Sequence, residues 1–401
     1  MPTDHAILAP SASKRWMTCP PSARLEAQVP SVETVYTKEG TIAHSVAEGL
    51  LTFYRDRHLL IAEDILLEIA AGGQQWAWLE DLRAQAGELG VDFDEMLTTV
   101  HNYYVRFVYE DYLEALNEDP DAALLIEQKL KLEEYIPQGF GSSDAVIIYG
   151  KTLCVYDLKY GKGVKVSAKG NTQMMCYGLG ALLGPGELYD ITKVDMTIIQ
   201  PRLQWTSGWS ISADQLMEWA DLELRPAAVL AFQGGGDFLP GEHCRFCNVA
   251  PRCKALAAKA AQLNANRGDT ALMTNAEISE ALVNAQSLKS WLSSLEAYAL
   301  ERAVAGETFP GFKVVEGRSV RQISDQPAAM EILALAGFDE ASYCKPKELK
   351  TITDLEKLLK KKGFQKLLGS YVVKPQGKPT LVEESDPRPA INSASEDFKD
   401  I

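Results

Sequence analysis

No stretch of this chain is long and apolar enough to span a bilayer. The richest run, Met174–Leu183, is short and interrupted by Gly178 and Gly180, whereas a membrane helix needs about 20 consecutive apolar residues. The opening MPTDHAILAP lacks the basic flank and apolar core of a secretory leader. A cytoplasmic protein without a membrane partner is therefore expected. Positive charge is scarce as well: 40 Lys and Arg face 55 Asp and Glu, a formal net charge of −15. That balance argues against a protein that coats nucleic acid by bulk electrostatics, but it leaves room for an enzyme with a local basic channel. No G-x4-G-K-[ST] phosphate loop occurs, so the chain is not itself a helicase. Internal repeats are absent too.

What is present suits a globular α/β protein, with 46% apolar and 24% charged residues over 401 positions. Residues 38–55 carry the spacing of an amphipathic helix, on which Gly40, His44 and Glu48 share a face. Residues 60–118 read as a helical insertion. From Ala122 the period changes to that of strands. Leu124–Leu132 is one strand; Ala145–Tyr149 and Leu153–Tyr156 are two more, around the turn Gly150-Lys151. A helix over Asn171–Leu183, a buried strand over Lys193–Gln200, a short edge strand over Trp209–Ser212 and a helix over Ala213–Phe232 complete an α/β domain with a mixed central sheet.

The expected organisation is a domain over 1–258, a mostly helical extension over 259–380 and an acidic, disordered tail over 381–401. Within the extension, 276–304 is a long helix and 312–320 a strand pair or extended arm. The stretch 345–378 holds ten Lys against three Asp/Glu and could contact DNA or an acidic partner, or form a solvated face.

Asp144 stands at the start of one predicted strand and Asp157 at the end of the next, with Lys159 two residues on. Antiparallel pairing can bring the three together, and two carboxylates with a lysine suit a hard cation and a phosphodiester. His44 and the backbone carbonyl of Leu158 are further candidate ligands for Mg²⁺ or Mn²⁺. Gln173 and Tyr177, four apart on a helix, could orient Lys159 or hold a nucleic-acid backbone. Glu127 is either near the metal or a plain surface glutamate. Taken singly, each of these is an ordinary residue, and a lone D-x-K says little. The order of the set carries the argument.

The seven cysteines divide unevenly. Clustered thiols in a cytosolic chain point to metal rather than to disulfides. Cys244-x2-Cys247-x5-Cys253 offers three thiolates, and Cys19, in a turn before two prolines, is the best fourth. Four thiolates suit zinc and an iron–sulfur cluster equally on spacing alone. Cys154 and Cys176 fall in predicted core elements, and Cys344 in a remote loop.

The ordered set Gly40-x3-His44, Gly141-x2-Asp144, Asp157-Leu158-Lys159 and Gln173-x3-Tyr177 resembles the RecB-type branch of the PD-(D/E)XK nucleases. One N-terminal cysteine with C-x2-C-x5-C downstream is similar to the iron–sulfur nuclease domains of AddB-type helicase–nucleases and to the CRISPR-adaptation nucleases. Coverage runs from about Ser11 to Lys254. The segments GFKVVEGR and LVEESDPRPAIN resemble phage-encoded stand-alone relatives.

The resemblance implies a restriction-endonuclease-like core and a Mg²⁺- or Mn²⁺-dependent deoxyribonuclease, in particular an exonuclease of phage or prophage recombination or DNA repair. Its metal ligands would be His44, Asp144, Asp157 and Leu158, with Lys159, Gln173 and Tyr177 in the catalytic set. A [4Fe–4S] cluster on Cys19, Cys244, Cys247 and Cys253 would staple the domain, and the partners would be DNA and a phage recombination or single-strand-binding protein. The competing expectation is a non-catalytic nucleic-acid-binding or scaffold protein that keeps the fold and the staple.

Overall fold

The computed structural model describes residues 6–29, 33–59, 65–265, 275–317, 321–345, 348–373 and 379–383. The chain divides into two compact units, 1–281 and 282–401.

The first unit opens with two short helices, α1 (Ser13–Thr18) and α2 (Pro21–Glu26), and a long α3 (Val35–Arg57). Thr34 caps α3 by accepting from the Thr37 backbone N–H, and His58, in the left-handed region, ends it. Then come α4 (Ile65–Ala71), α5 (Ala77–Glu88), α6 (Phe93–Val100) and α7 (Arg106–Glu118), the last two joined by a π-turn over His101–Val105.

Five strands follow: β1 (Ala123–Lys131), β2 (Phe140–Tyr149), β3 (Thr152–Leu158), β4 (Lys193–Gln200) and β5 (Trp205–Ser212). They lie in the order β1-β2-β3-β4-β5, antiparallel except for the parallel pair β3–β4. That parallel pair requires a crossover, supplied by α8 (Thr172–Leu183). The fold is thus mixed α/β, a five-stranded mixed sheet flanked by helices.

The middle strands are buried on both faces, which explains their nearly unbroken apolar sequence. Ala145, Ile147, Cys154, Tyr156 and Leu158 join a core with α3, α5, α6 and α7. Val146, Ile148, Leu153 and Val155 join a second core with α8 and with α9 (Ala213–Trp219) and α10 (Arg225–Gln233). The helices of 65–118 therefore form one full layer against the sheet. On the other face α8 approaches so closely that a Cβ at Gly180 would lie 2.9 Å from Leu130 Cβ.

Several boundaries differ from expectation. β2 begins at Phe140, so Asp144 lies within a strand and not at its start. β5 begins at Trp205. The single helix expected over 213–232 is broken by a π-turn at Ala220–Leu224.

In the second unit, whose first residues belong to the long helix Asn275–Val304, the strand Phe312–Glu316 pairs with Pro379–Glu383. Residues 381–383 are thus part of a strand rather than of a tail; 384–401 lie outside the described residues. The helices Gln326–Leu335 and Ile352–Leu368 enclose a small core around Leu333, Tyr343, Leu355 and Phe364.

Candidate metal and hydrolytic site

The site forms where β1, β2 and β3 meet α3 and α8. Ile126 pairs with Ala145 and Gln128 with Ser143, so Glu127 stands opposite Asp144. Glu127 adopts φ +45°, which is uncommon for a residue with a side chain. Strand alternation reverses there: Leu124 and Ile126 belong to the first core, whereas Leu130 and Leu132 belong to the second. Strain of this kind collects at functional sites and costs on the order of 1–3 kcal/mol. Here it brings Glu127 to His44 and Asp144, with one ligand atom of each lying within 4.8 Å of the others.

His44 Nδ1 lies 3.0 Å from Asp144 Oδ1, and the Leu158 backbone N–H donates to Asp144 Oδ2 at 2.6 Å. The Leu158 N–H thus holds Asp144. The Ser142 hydroxyl donates to Glu127 Oε2 at 2.9 Å.

Beside this trio runs a second chain of contacts. Lys159 Nζ donates to Asp157 Oδ1 at 3.2 Å and to Gln173 Oε1 at 3.1 Å. The Gln173 amide donates to Asp157 Oδ1 at 3.0 Å and to the Tyr177 hydroxyl at 3.1 Å. Asp157 Oδ2 is buried 2.9 Å from Lys159 Nζ, an ion pair without hydrogen-bond alignment. Asn171 caps α8 through the N–H groups of Gln173 and Met174, which sets the helix phase that presents Gln173 and Tyr177. Gly141 leaves room for the tyrosine, since a Cβ there would sit 3.2 Å from Tyr177 Cε1.

The electrostatics follow from crowding three carboxylates. Burial first, then the neighbouring Asp144 charge, pushes Glu127 up to about 7. Burial works to lower His44, but Asp144, with help from Asp157 and Glu127, prevails and raises it to about 8. Burial raises Asp157 against the opposing pull of Lys159. Lys159 is raised as well, its partner Asp157 outweighing the burial that would lower it.

All six side chains expected at the site converge. The closest ligand group is nevertheless His44, Glu127 and Asp144, while Asp157 is engaged by Lys159 and Gln173. Tyr104, on the π-turn, was not foreseen. It is fully buried, its hydroxyl has no hydrogen-bond partner among the described residues, and Asp144, Asp157 and Glu127 all add to the effect of burial in opposing its ionisation. Tyr103, Tyr104, Tyr109 and Tyr112 crowd together in the sequence, but their spacing does not tell which of them turns toward the acids.

The chain matches, over residues 5–389, the family model described as "Protein of unknown function (DUF2800)". It belongs to the DUF2800 family. Among solved structures, the one titled "Crystal structure of SSO0001" is similar at 12% identity and a TM-score of 0.22, over 61% of this DUF2800 chain and 96% of the other. That score is too low to carry an argument.

In this DUF2800 protein Cys154 and Cys176 are core residues, as expected; Cys344, expected in a loop, begins the short strand Cys344–Lys345 of the second unit and packs against its core. Cys19 ends α1 and is buried; burial raises its thiol pKa, and the nearby Cys244 and Cys253 add to the rise. Burial likewise pushes Cys247 up to about 12, with Glu26 and Cys244 contributing and Arg15 easing it. Glu26 ties the N-terminus to this loop, accepting from Arg15 Nε at 2.6 Å and from the Asn248 backbone N–H at 2.7 Å. The adjacent His243 keeps Nε2 buried without a hydrogen-bond partner among the described residues. Among the described residues, no three cysteine sulfurs fall within 4.8 Å of one another.

Proposed function

We propose that this DUF2800 protein is a divalent-cation-dependent deoxyribonuclease with a PD-(D/E)XK-type core, acting as an exonuclease in phage or prophage recombination or in DNA repair. The observation that carries the reading is the convergence of His44, Glu127 and Asp144 beside the linked Asp157, Lys159, Gln173 and Tyr177.

The donor set fits Mg²⁺ or Mn²⁺. Two carboxylates and an imidazole crowd together, and burial with the neighbouring Asp144 charge pushes the Glu127 carboxyl up to about 7. His44, Glu127 and Asp144 would hold the ion, with Asp157 and Leu158 completing the expected set. A bound cation would polarise the scissile phosphate and activate the attacking water. Lys159, held by Asp157 and Gln173, offsets negative charge developing on the phosphate. Gln173 fixes the lysine, and Tyr177 fixes Gln173. The Leu158 N–H and His44 hold Asp144 in one orientation.

Four thiols gathered from residue 19 and residues 244–253 form a donor set for [4Fe–4S], with zinc as the alternative.

Two measurements test the proposal. Purified protein with Mg²⁺ or Mn²⁺ should degrade end-labelled DNA, and Asp157→Ala and Lys159→Ala should each abolish cleavage while leaving the circular dichroism spectrum unchanged. Cleavage by both variants at the wild-type rate removes the site. Anaerobically purified protein should be brown, with broad absorption near about 400 nm; colourless protein containing zinc removes the cluster.

A further inference from the structure

Between Lys159 and the Asn171 cap of α8 the chain has no regular secondary structure, yet it is firmly held. Gln200, buried at the end of β4, accepts from the Val166 N–H at 2.6 Å and donates to the Val164 carbonyl at 3.1 Å. One side chain thereby supplies the donor and acceptor that a neighbouring strand would supply. Ser207 Oγ accepts from the Ala168 N–H at 3.0 Å, and the Trp205 indole N–H donates to the Val166 carbonyl at 3.2 Å. The segment is a strap laid on β4 and β5.

Its outer side is basic. Lys162, Lys165 and Lys169 are all exposed, and among the described residues no carboxylate pairs with them. Lys165 lies over the Trp205 ring, 4.2 Å from its centroid. In a chain of net charge −15, three uncompensated lysines on a rigid strap that begins at Lys159 call for an anionic ligand extended along the strap.

We propose that segment 159–171 is a rail for the phosphodiester backbone of a nucleic-acid strand. Lys162, Lys165 and Lys169 contact phosphates, and Gln200 positions them. The choice of ligand rests on the nuclease reading above; the rail itself rests on the strap.

The test is fluorescence anisotropy with a labelled single-stranded 20-mer, metal omitted, over a salt series. Each phosphate contact contributes about 0.7 to the slope of log affinity against log salt. The triple variant Lys162→Gln/Lys165→Gln/Lys169→Gln should therefore lose about 2 from that slope and bind at least about tenfold more weakly at 0.1 M salt. Its melting temperature and Mn²⁺ affinity should not change. Gln200→Ala should weaken binding several-fold while leaving most of the slope, because the charges remain and only their placement is lost; Ser207→Ala should do the same more mildly.

Lys151→Gln/Lys193→Gln, at the opposite end of β3, should leave both quantities unchanged. An unaltered slope in the triple variant, or an equal loss per lysine at the opposite end, overturns the rail. Strap-dependent binding by a wild-type protein that never cleaves in Mg²⁺ or Mn²⁺ sinks the nuclease reading and leaves the rail standing.

Discussion

The carboxylate centre and the cysteine group are organised in opposite ways. At the carboxylate centre the frame is made by the protein itself: strand register sets Glu127 opposite Asp144, and hydrogen bonds link Lys159, Gln173 and Tyr177 in series. The downstream cysteines sit on short turns, tied by Glu26 to the N-terminal helices; burial pushes the Cys19 and Cys247 thiols up, and a neighbouring imidazole nitrogen has no partner among the described residues. One site is built by the sheet and would take its ion into a finished frame. The other needs its ligand to finish the frame. The first should therefore lose chemistry before stability, and the second stability before chemistry.

The sharpest test of that contrast pairs Asp144→Asn with Cys244→Ser. Asp144→Asn should reduce DNA cleavage by about 10³-fold or more, with the melting temperature held or raised as carboxylate crowding is relieved. Cys244→Ser should lower the melting temperature by about 10 °C or more, with loss of absorbance near about 400 nm, since binding of a structural metal is folding free energy. Equal melting temperatures for the two variants would erase the distinction.

The next effect is on pH. Both His44, at about 8, and Glu127, at about 7, sit above their ordinary values of 6.5 and 4.5. Each must lose a proton to bind a cation. Mn²⁺ affinity, measured by titration calorimetry, should rise about tenfold per pH unit from 7 to 8 and about a hundredfold per unit below 7. Stability of the metal-free protein should run the other way. With both folded pKa values raised, the fold is favoured with both groups protonated, and it weakens as pH climbs through about 7 and then about 8. The cysteine group adds nothing to the calorimetric profile if the two sites are independent.

The smallest effects come from the outer members of the relay. Gln173→Ala should slow cleavage about tenfold, because Lys159 keeps Asp157 but loses its second partner. Tyr177→Phe, which removes one acceptor from the Gln173 amide and nothing from the lysine, should cost less than that. Neither should alter the visible spectrum.

The regular elements were legible in the sequence because their signals are local. The KVDMTIIQ run became β4 at both of its bounds, and Asn171 announced α8 as its cap. His44, Asp144, Asp157, Lys159, Gln173 and Tyr177 were legible only as an ordered set that resembles a nuclease branch, since each taken singly is an ordinary residue. Glu127 was ambiguous for a physical reason: its left-handed backbone reverses the alternation from which a buried side is read. Gln200 looked like the polar end of a buried strand, since nothing near it in sequence reveals that it bonds to residues 34 and 36 positions earlier. The helix broken at 220–224 carries no glycine, and its only proline, Pro226, falls after the break, so periodicity ran straight through it.

The π-turn at His101–Val105 fixes the phase of everything after it. A residue of α-helix rotates the chain by about 100°, so positions five apart in an unbroken helix diverge by about 140°. Tyr104 and Tyr109 are five apart, yet both are buried in the same core. The widened turn absorbs the excess rotation and lets one tyrosine look toward the acids while the other packs against Tyr54. Substitutions in this helical arm should be borne one by one according to their size. Deletion of a single residue within 101–105 is a different kind of change: it removes the residue that the wide turn accommodates, so the helix can close to regular geometry with α6 and α7 still in step, because positions four apart diverge by only about 40°.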